Sequence, residues 1–149
     1  MAEKLDWLRR FIGTAIGFFF WGTAGVLLQL VLYPYMLTRK TDSLQNQLKT
    51  RRFVGRIWYY FIRYLSFVGV LQVTYKGFEK LGRPGQLILP NHPSLLDVVL
   101  ILGKVPTLNC IVKKDLLNNP TMRNQILACG FLPNTESVEL LEQSDEVLK

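Results

Sequence analysis

The sequence predicts an α/β fold behind an N-terminal hydrophobic helical region, on three observations. No charged side chain occurs from Phe11 to Thr38. A second apolar segment, Phe53–Leu71, carries its arginines at helical spacing. From Leu71 onward, short alternating runs are separated by turn residues and by longer helical stretches, the pattern of strands alternating with helices.

The elements follow in order. Phe11–Tyr33 includes Phe18, Phe19, Phe20, Trp21, Leu27, Leu28 and Leu30. As a helix its 23 residues would rise roughly 34 Å, enough to cross a hydrocarbon core. Trp7, Tyr33 and Tyr35 suit the edges of such a segment, Trp21 lies in its middle, and Pro34 suits its end. The run is too long for a signal peptide and lacks a small-x-small cleavage site. A buried core helix is the structural alternative, though a domain of 149 residues has little room to hide so long a segment. The run predicts a membrane helix, either spanning or dipping into one leaflet as a hairpin with the second segment.

In that second segment Arg52, Arg56 and Arg63 fall within about 40° of one another on a helix. Val54, Ile57, Trp58, Phe61, Leu65 and Val68 take the opposite side. Two readings are open: a helix in the membrane interface with its arginines on lipid phosphates, or an amphipathic helix packed on its own domain. Further on, Leu71–Tyr75 and Gln86–Leu89 read as strands, the latter stopped by Pro90. The turn Leu81-Gly82-Arg83-Pro84-Gly85 lies between them. Ser94–Leu102 reads as a helix, Thr107–Val112 as a strand, and Asp115–Cys129 as a helix ended by Gly130. Phe131–Pro133 starts a further strand, and Ser137–Leu148 forms an acidic helix.

Composition narrows the function classes. The chain has 149 residues, is 49% hydrophobic, and carries a net charge of +7. That apolar fraction excludes a disordered or collagen-like chain. Cys110 and Cys129, with a single histidine, cannot make a disulfide scaffold or a zinc site of ordinary spacing, and suit buried thiols in a reduced compartment. The charge is local: residues 39–63 hold seven bases against one acid, while residues 64–149 balance eight with eight. A basic stretch beside a lipid-like helix points to an anionic membrane surface, cytoplasmic if the helix spans. Without a zinc finger, P-loop or aromatic RNA-binding pattern, nucleic acid is not an expected partner.

The chemistry candidate is Asn91-His92-Pro93-Ser94-Leu95-Leu96-Asp97, at a strand-to-helix junction where α/β folds place their ligands. His92 would lie in the loop. Asp97, about one turn into the helix, could fold back toward the imidazole, fix its tautomer and stabilise the imidazolium. A histidine capping the next helix is the structural alternative. There is no G-x-S-x-G elbow, and Ser94 is too near His92 in sequence for a standard triad, so direct activation of a substrate hydroxyl is the natural use of the pair.

These residues resemble the N-H-x-S-x-x-D block of the lysophospholipid and glycerol-3-phosphate acyltransferase superfamily. Val73–Leu81 is similar to the strand and G-x-E-x-L turn preceding that block, as Gly77, Glu79 and Leu81 show. Ile111–Leu116, Pro120 and Gly130-Phe131-Leu132-Pro133 resemble its second block. The resemblance spans roughly residues 50–149 and implies a glycerolipid acyltransferase-like fold, an incomplete mixed sheet with flanking helices behind the membrane helices. It implies residues 1–50 as anchor and basic linker, and 51–149 as the N-terminal part of the catalytic domain, with an interfacial helix over 52–71.

The implied reaction transfers a fatty acyl group from acyl-CoA or acyl carrier protein to a lysophospholipid hydroxyl, lysophosphatidic acid first among acceptors. His92 would be the general base and Asp97 its orienting partner. Asn91 and Ser94 would support the loop. Lys113 would either help place a phosphate or the donor, or be a solvated strand-end lysine. No metal or cofactor is implied beyond the acyl donor, and the expected location is a bacterial inner membrane with the catalytic half cytoplasmic. Two departures stand out. Asn134-Thr135-Glu136 replaces a run that often ends in a phosphate-binding arginine, and no F-P-E-G-T-R segment occurs before Lys149. The expectation is therefore a C-terminally truncated acyltransferase with little activity alone. The competing expectations are a membrane-anchored binding module in which His92 and Asp97 are structural, and another hydrolase or transferase using the same pair.

Overall fold

The computed structural model describes residues 2–38, 43–91 and 94–134. Outside them lie His92, the linker bases Arg39 and Lys40, and the expected acidic helix Ser137–Leu148.

Helix α1 (Ala2–Leu37) continues through Pro34, which falls in its last turn, and is longer at both ends than the apolar run alone. Helix α2 (Leu44–Val68) ends at Gly69, whose φ of 81° lets its N–H reach the Leu65 and Ser66 carbonyls. The two helices pack antiparallel: Gly13 lies against Val68, Gly17 against Leu65, Tyr64 and Phe61, and the Trp21 ring stands 4.7 Å from that of Phe61. Glycines let the backbones approach where any larger residue would hold them apart. Tyr64 Oη donates to the Gly13 carbonyl at 3.1 Å across the same seam.

Helix α3 (Leu95–Lys104) packs on another side of α2. The crossing is close at two further glycines. A Cβ on Gly55 would stand 3.0 Å from the Leu102 carbonyl oxygen, and one on Gly103 3.1 Å from the Tyr59 nitrogen. The chain then forms strand β1 (Ile111–Lys113), a short 3₁₀ turn at Lys114–Asn118, helix α4 (Arg123–Cys129) and strand β2 (Leu132–Asn134). The strands pair in parallel with Val112 opposite Pro133, and α4 lies on the crossover between them. The core is built mainly from α2: Val54, Trp58, Phe61, Ile62 and Leu65 meet Val99 and Leu102 of α3, Ile126 and Cys129 of α4, and Phe131.

The expected α/β class is therefore corrected. About two thirds of the described residues are helical and the only sheet among them has two strands, so they do not form a mixed acyltransferase-like sheet. Leu71–Tyr75 and Gln86–Leu89 join no ladder among the described residues. Their alternation reports which way side chains point, whereas a strand also needs a partner for its backbone groups. Leu87 and Leu89 both face outward, at 78% and 84% exposure. The expected helix over Asp115–Cys129 is likewise a 3₁₀ turn followed, past Pro120, by the shorter α4.

Candidate functional site

Ser94 is the N-cap of α3, with extended backbone angles of −138° and 153°. Asp97 is its third residue. The Ser94 N–H donates to Asp97 Oδ2 at 2.9 Å, and Ser94 Oγ lies 3.1 Å from the same oxygen. Together they form a capping box, in which a first-turn carboxylate folds back over the helix start and satisfies a donor that the helix leaves open. The negative charge also sits favourably at the positive end of the helix dipole. Apolar residues along α3 anchor this turn, since Val99 and Leu102 are buried against α2.

Of the predicted site residues, Ser94 and Asp97 are thus brought together, and the carboxylate turns back toward the chain that precedes the helix. Asn91, at the other edge of the block, is exposed. His92 lies outside the described residues. Lys113, at the end of β1, has its own partner: Nζ stands 2.8 Å from Asp115 Oδ2, with both side chains more than 70% exposed. The hydrogen bond and then the charge of Asp115 raise the lysine's pKa above its ordinary value, and the same contact lowers that of the aspartate. So exposed a pair adds little to stability.

Two features escaped the sequence reading. The pattern Ser94-x-x-Asp97 is itself a capping signature, which explains Asp97 without a catalytic role. The second is Arg51, one of the seven bases counted above in residues 39–63 but buried to 5% exposure. Its Nε donates to the Cys129 carbonyl at 2.6 Å and Nη2 to the Gly130 carbonyl at 3.2 Å, with the guanidinium 5.6 Å from the centre of the Phe131 ring. It caps the C-terminus of α4, where the carbonyls lack helical partners and the dipole favours a cation. Burial lowers the Arg51 pKa and pushes that of the neighbouring Cys129 thiol up to about 12, against a smaller opposing effect of the arginine's charge. Burial likewise raises the pKa of Cys110. Both cysteines are free thiols.

A small cavity of about 40 Å³ lies among α1, α2 and α4, lined by Trp21, Leu28, Ile57, Trp58 and Met122. That is room for a water molecule and not for a lipid chain. Among the described residues no three His, Cys, Asp or Glu side chains cluster as metal ligands. The helix Glu3–Leu37 is long and apolar enough to cross a membrane, by length and composition. No family model matches the chain, and no curated protein or solved structure matches it.

Proposed function

We propose that the protein is a membrane-associated O-acyltransferase that esterifies a lysophospholipid hydroxyl, with lysophosphatidic acid as the acceptor, on the cytoplasmic face of a bacterial inner membrane. The observation that carries this is the Asn91-His92-x-Ser94-x-x-Asp97 block at the start of α3, where the Asp97 carboxylate folds back over the turn rather than pointing along the helix.

His92 takes the proton from the acceptor hydroxyl, whose oxygen attacks the thioester carbonyl of acyl-CoA or acyl carrier protein. The tetrahedral adduct collapses with cleavage of the carbon–sulfur bond. The imidazolium then returns the proton to the departing thiolate, leaving an ester and a free thiol. Asp97 orients the imidazole and stabilises its charged form. The exposed apolar surface of α1 supports a membrane setting for an amphiphilic acceptor.

The capping box favours a second reading, a membrane-anchored binding module in which Asp97 serves only the helix. Both are tested by assaying the purified chain with lysophosphatidic acid and a labelled acyl donor in mixed micelles. Transfer that falls by roughly a hundredfold or more in His92→Ala and Asp97→Asn supports the enzyme. Absence of transfer from either donor by folded protein overturns it. Loss of α3 stability in Asp97→Asn with no activity to lose is the binding-module result.

A further inference from the structure

One flank of α2 carries charge that nothing beside it balances. Arg52, Arg56 and Arg63 lie within about 40° of one another on the helix, and all are exposed. Their row runs along the axis for about 16 Å. It borders α3, because Gly103 lies against the backbone of Tyr59, the residue next to the row in angle. Lys104 adds a fourth cation on that side, its Nζ 5.7 Å from the centre of the Tyr59 ring and 5.3 Å from that of Tyr75. None of the four has an ion-pair partner among the described residues.

The described acids are committed elsewhere. Asp6 pairs with Arg9 and Arg10, Asp115 pairs with Lys113, and Asp97 closes the start of α3. Glu3 and Glu79 pair with no member of the row. Helix α1 offers no counter-charge either. Phe61 and Leu65, which bracket Arg63 in sequence, meet Trp21 and Gly17, and Ile57, next to Arg56, packs with Leu28 and Leu32. Arg56 and Arg63 therefore stand level with the middle of a run that holds no charged residue. Like charges gathered on one face repel one another, so an acidic occupant gains from all of them.

The sequence holds one block of acids of matching size. Residues 136–146 carry Glu136, Glu139, Glu142, Asp145 and Glu146 with no base, five of the chain's eleven acids. In the helix expected there, the four glutamates fall within about 120° of one another. From Glu136 to Glu146 that helix would rise about 15 Å, close to the length of the arginine row. The chain also delivers the block to one end of the row. Asn134 is three residues past Phe131, about 10 Å at full extension. The Phe131 ring stands 5.6 Å from the guanidinium of Arg51, the neighbour of Arg52. One exposed ion pair is worth little, but several acting together across a short connection make the encounter intramolecular and favour docking.

We propose that residues 136–146 dock along α2, with Glu136, Glu139, Glu142 and Glu146 on the row of Arg52, Arg56 and Arg63. The occupant of the basic face is then the chain's own acidic segment, entering from β2 at the Arg52 end. This goes beyond the acyl-transfer reading and does not depend on it.

The test measures a distance in the full chain, held in an uncharged detergent. Nitroxide labels are attached at Ser66→Cys, beside the far end of the row, and Ser144→Cys, in a Cys110→Ala, Cys129→Ala background checked for retained helix content. Double electron–electron resonance at low salt should give one narrow distance. It should broaden at 1 M salt, where the Debye length is about 3 Å. It should also be lost in Arg52→Glu/Arg56→Glu/Arg63→Glu, which alters only exposed side chains. Adding Glu139→Arg/Glu142→Arg/Glu146→Arg to that variant should bring the narrow distance back, which a misfolded chain would not do.

A broad distribution in the chain with its charges unaltered overturns the proposal and leaves the row to an external anion. A narrow distance that survives both salt and charge reversal means that the segment is held elsewhere, and overturns it too. Loss on reversal without recovery in the swapped variant overturns the pairing of these glutamates with these arginines. A narrow distance from a mixture of singly labelled chains puts the segment on a second copy and overturns the intrachain contact.

Discussion

Helices α1 and α2 lie side by side and bury opposite kinds of surface. α1 is apolar all round its central run, yet only a stripe of it is covered, and Phe18 and Phe19 remain 73% and 76% exposed. α2 is amphipathic, and its apolar side is the one that disappears, with Val54 and Ile62 at 1% and 3% exposure. A sequence with two distinct faces announces which one will be buried. A sequence apolar on every side announces only that water is the wrong solvent, and its packing is decided by where small residues permit close approach.

The largest expected effect separates the two helices directly. Trp58→Ala empties the core between α2 and its neighbours and should cost about 3–5 kcal/mol, enough to unfold the chain or nearly so. Phe19→Ala removes a large aromatic group from α1 and should leave the denaturant midpoint in detergent unchanged. A comparable loss at Phe19 would mean that its surface is covered by protein after all.

Arg51 breaks the amphipathic pattern of α2, and its removal tests whether the buried cation is structural. Arg51→Met leaves the Cys129 and Gly130 carbonyls without their donors and should destabilise by about 1–3 kcal/mol. The neighbouring thiol gives a pH signature. Cys129 holds its proton to about 12 in the folded chain, against an ordinary value of 9.0. Above that ordinary value the unfolded chain binds fewer protons than the folded one, so stability falls as pH rises, at up to about 1.4 kcal/mol per pH unit, through the window between the two values. Below it the thiol is protonated in both states and contributes no slope. Cys129→Ala should flatten this alkaline slope in denaturant titrations across that window, leaving the contribution of Cys110, whose pKa burial also raises.

Legibility follows the same division. α3, the glycine stop after α4 and the two-faced character of α2 were readable, because each has a local cause in spacing or backbone freedom. The side of α1 that packs was not, and Trp21 shows why: mid-run it looks misplaced as an interfacial anchor, whereas its ring packs at a tilt against that of Phe61. The strands at 71–75 and 86–89 failed because alternation is local and pairing is not. In the candidate site, a fold-back of Asp97 toward the His92 imidazole was expected from its place one turn into α3, and His92 lies outside the described residues. The hydrogen bonds of Asp97 to Ser94 were not expected, because the spacing to His92 drew attention from the equally regular spacing to Ser94.

The smallest effects compare two glycines on α1 itself. Replacing a helical glycine by alanine gains about 1 kcal/mol of backbone preference wherever a Cβ has room. At Gly22 nothing lies within 4 Å of the added carbon, so Gly22→Ala should stabilise by nearly that amount. At Gly13 the carbon would overlap Val68 Cγ1, a branched side chain with little freedom to move aside. Overpacking of that kind costs about 1–3 kcal/mol, which cancels or outweighs the gain. Gly13→Ala should therefore be neutral to destabilising. Thermal melts of the two variants in one detergent then read the seam from outside: a gain at both positions would mean that α1 and α2 are not in contact near Gly13, and the antiparallel register that sets Arg56 and Arg63 beside the apolar run would fall with it.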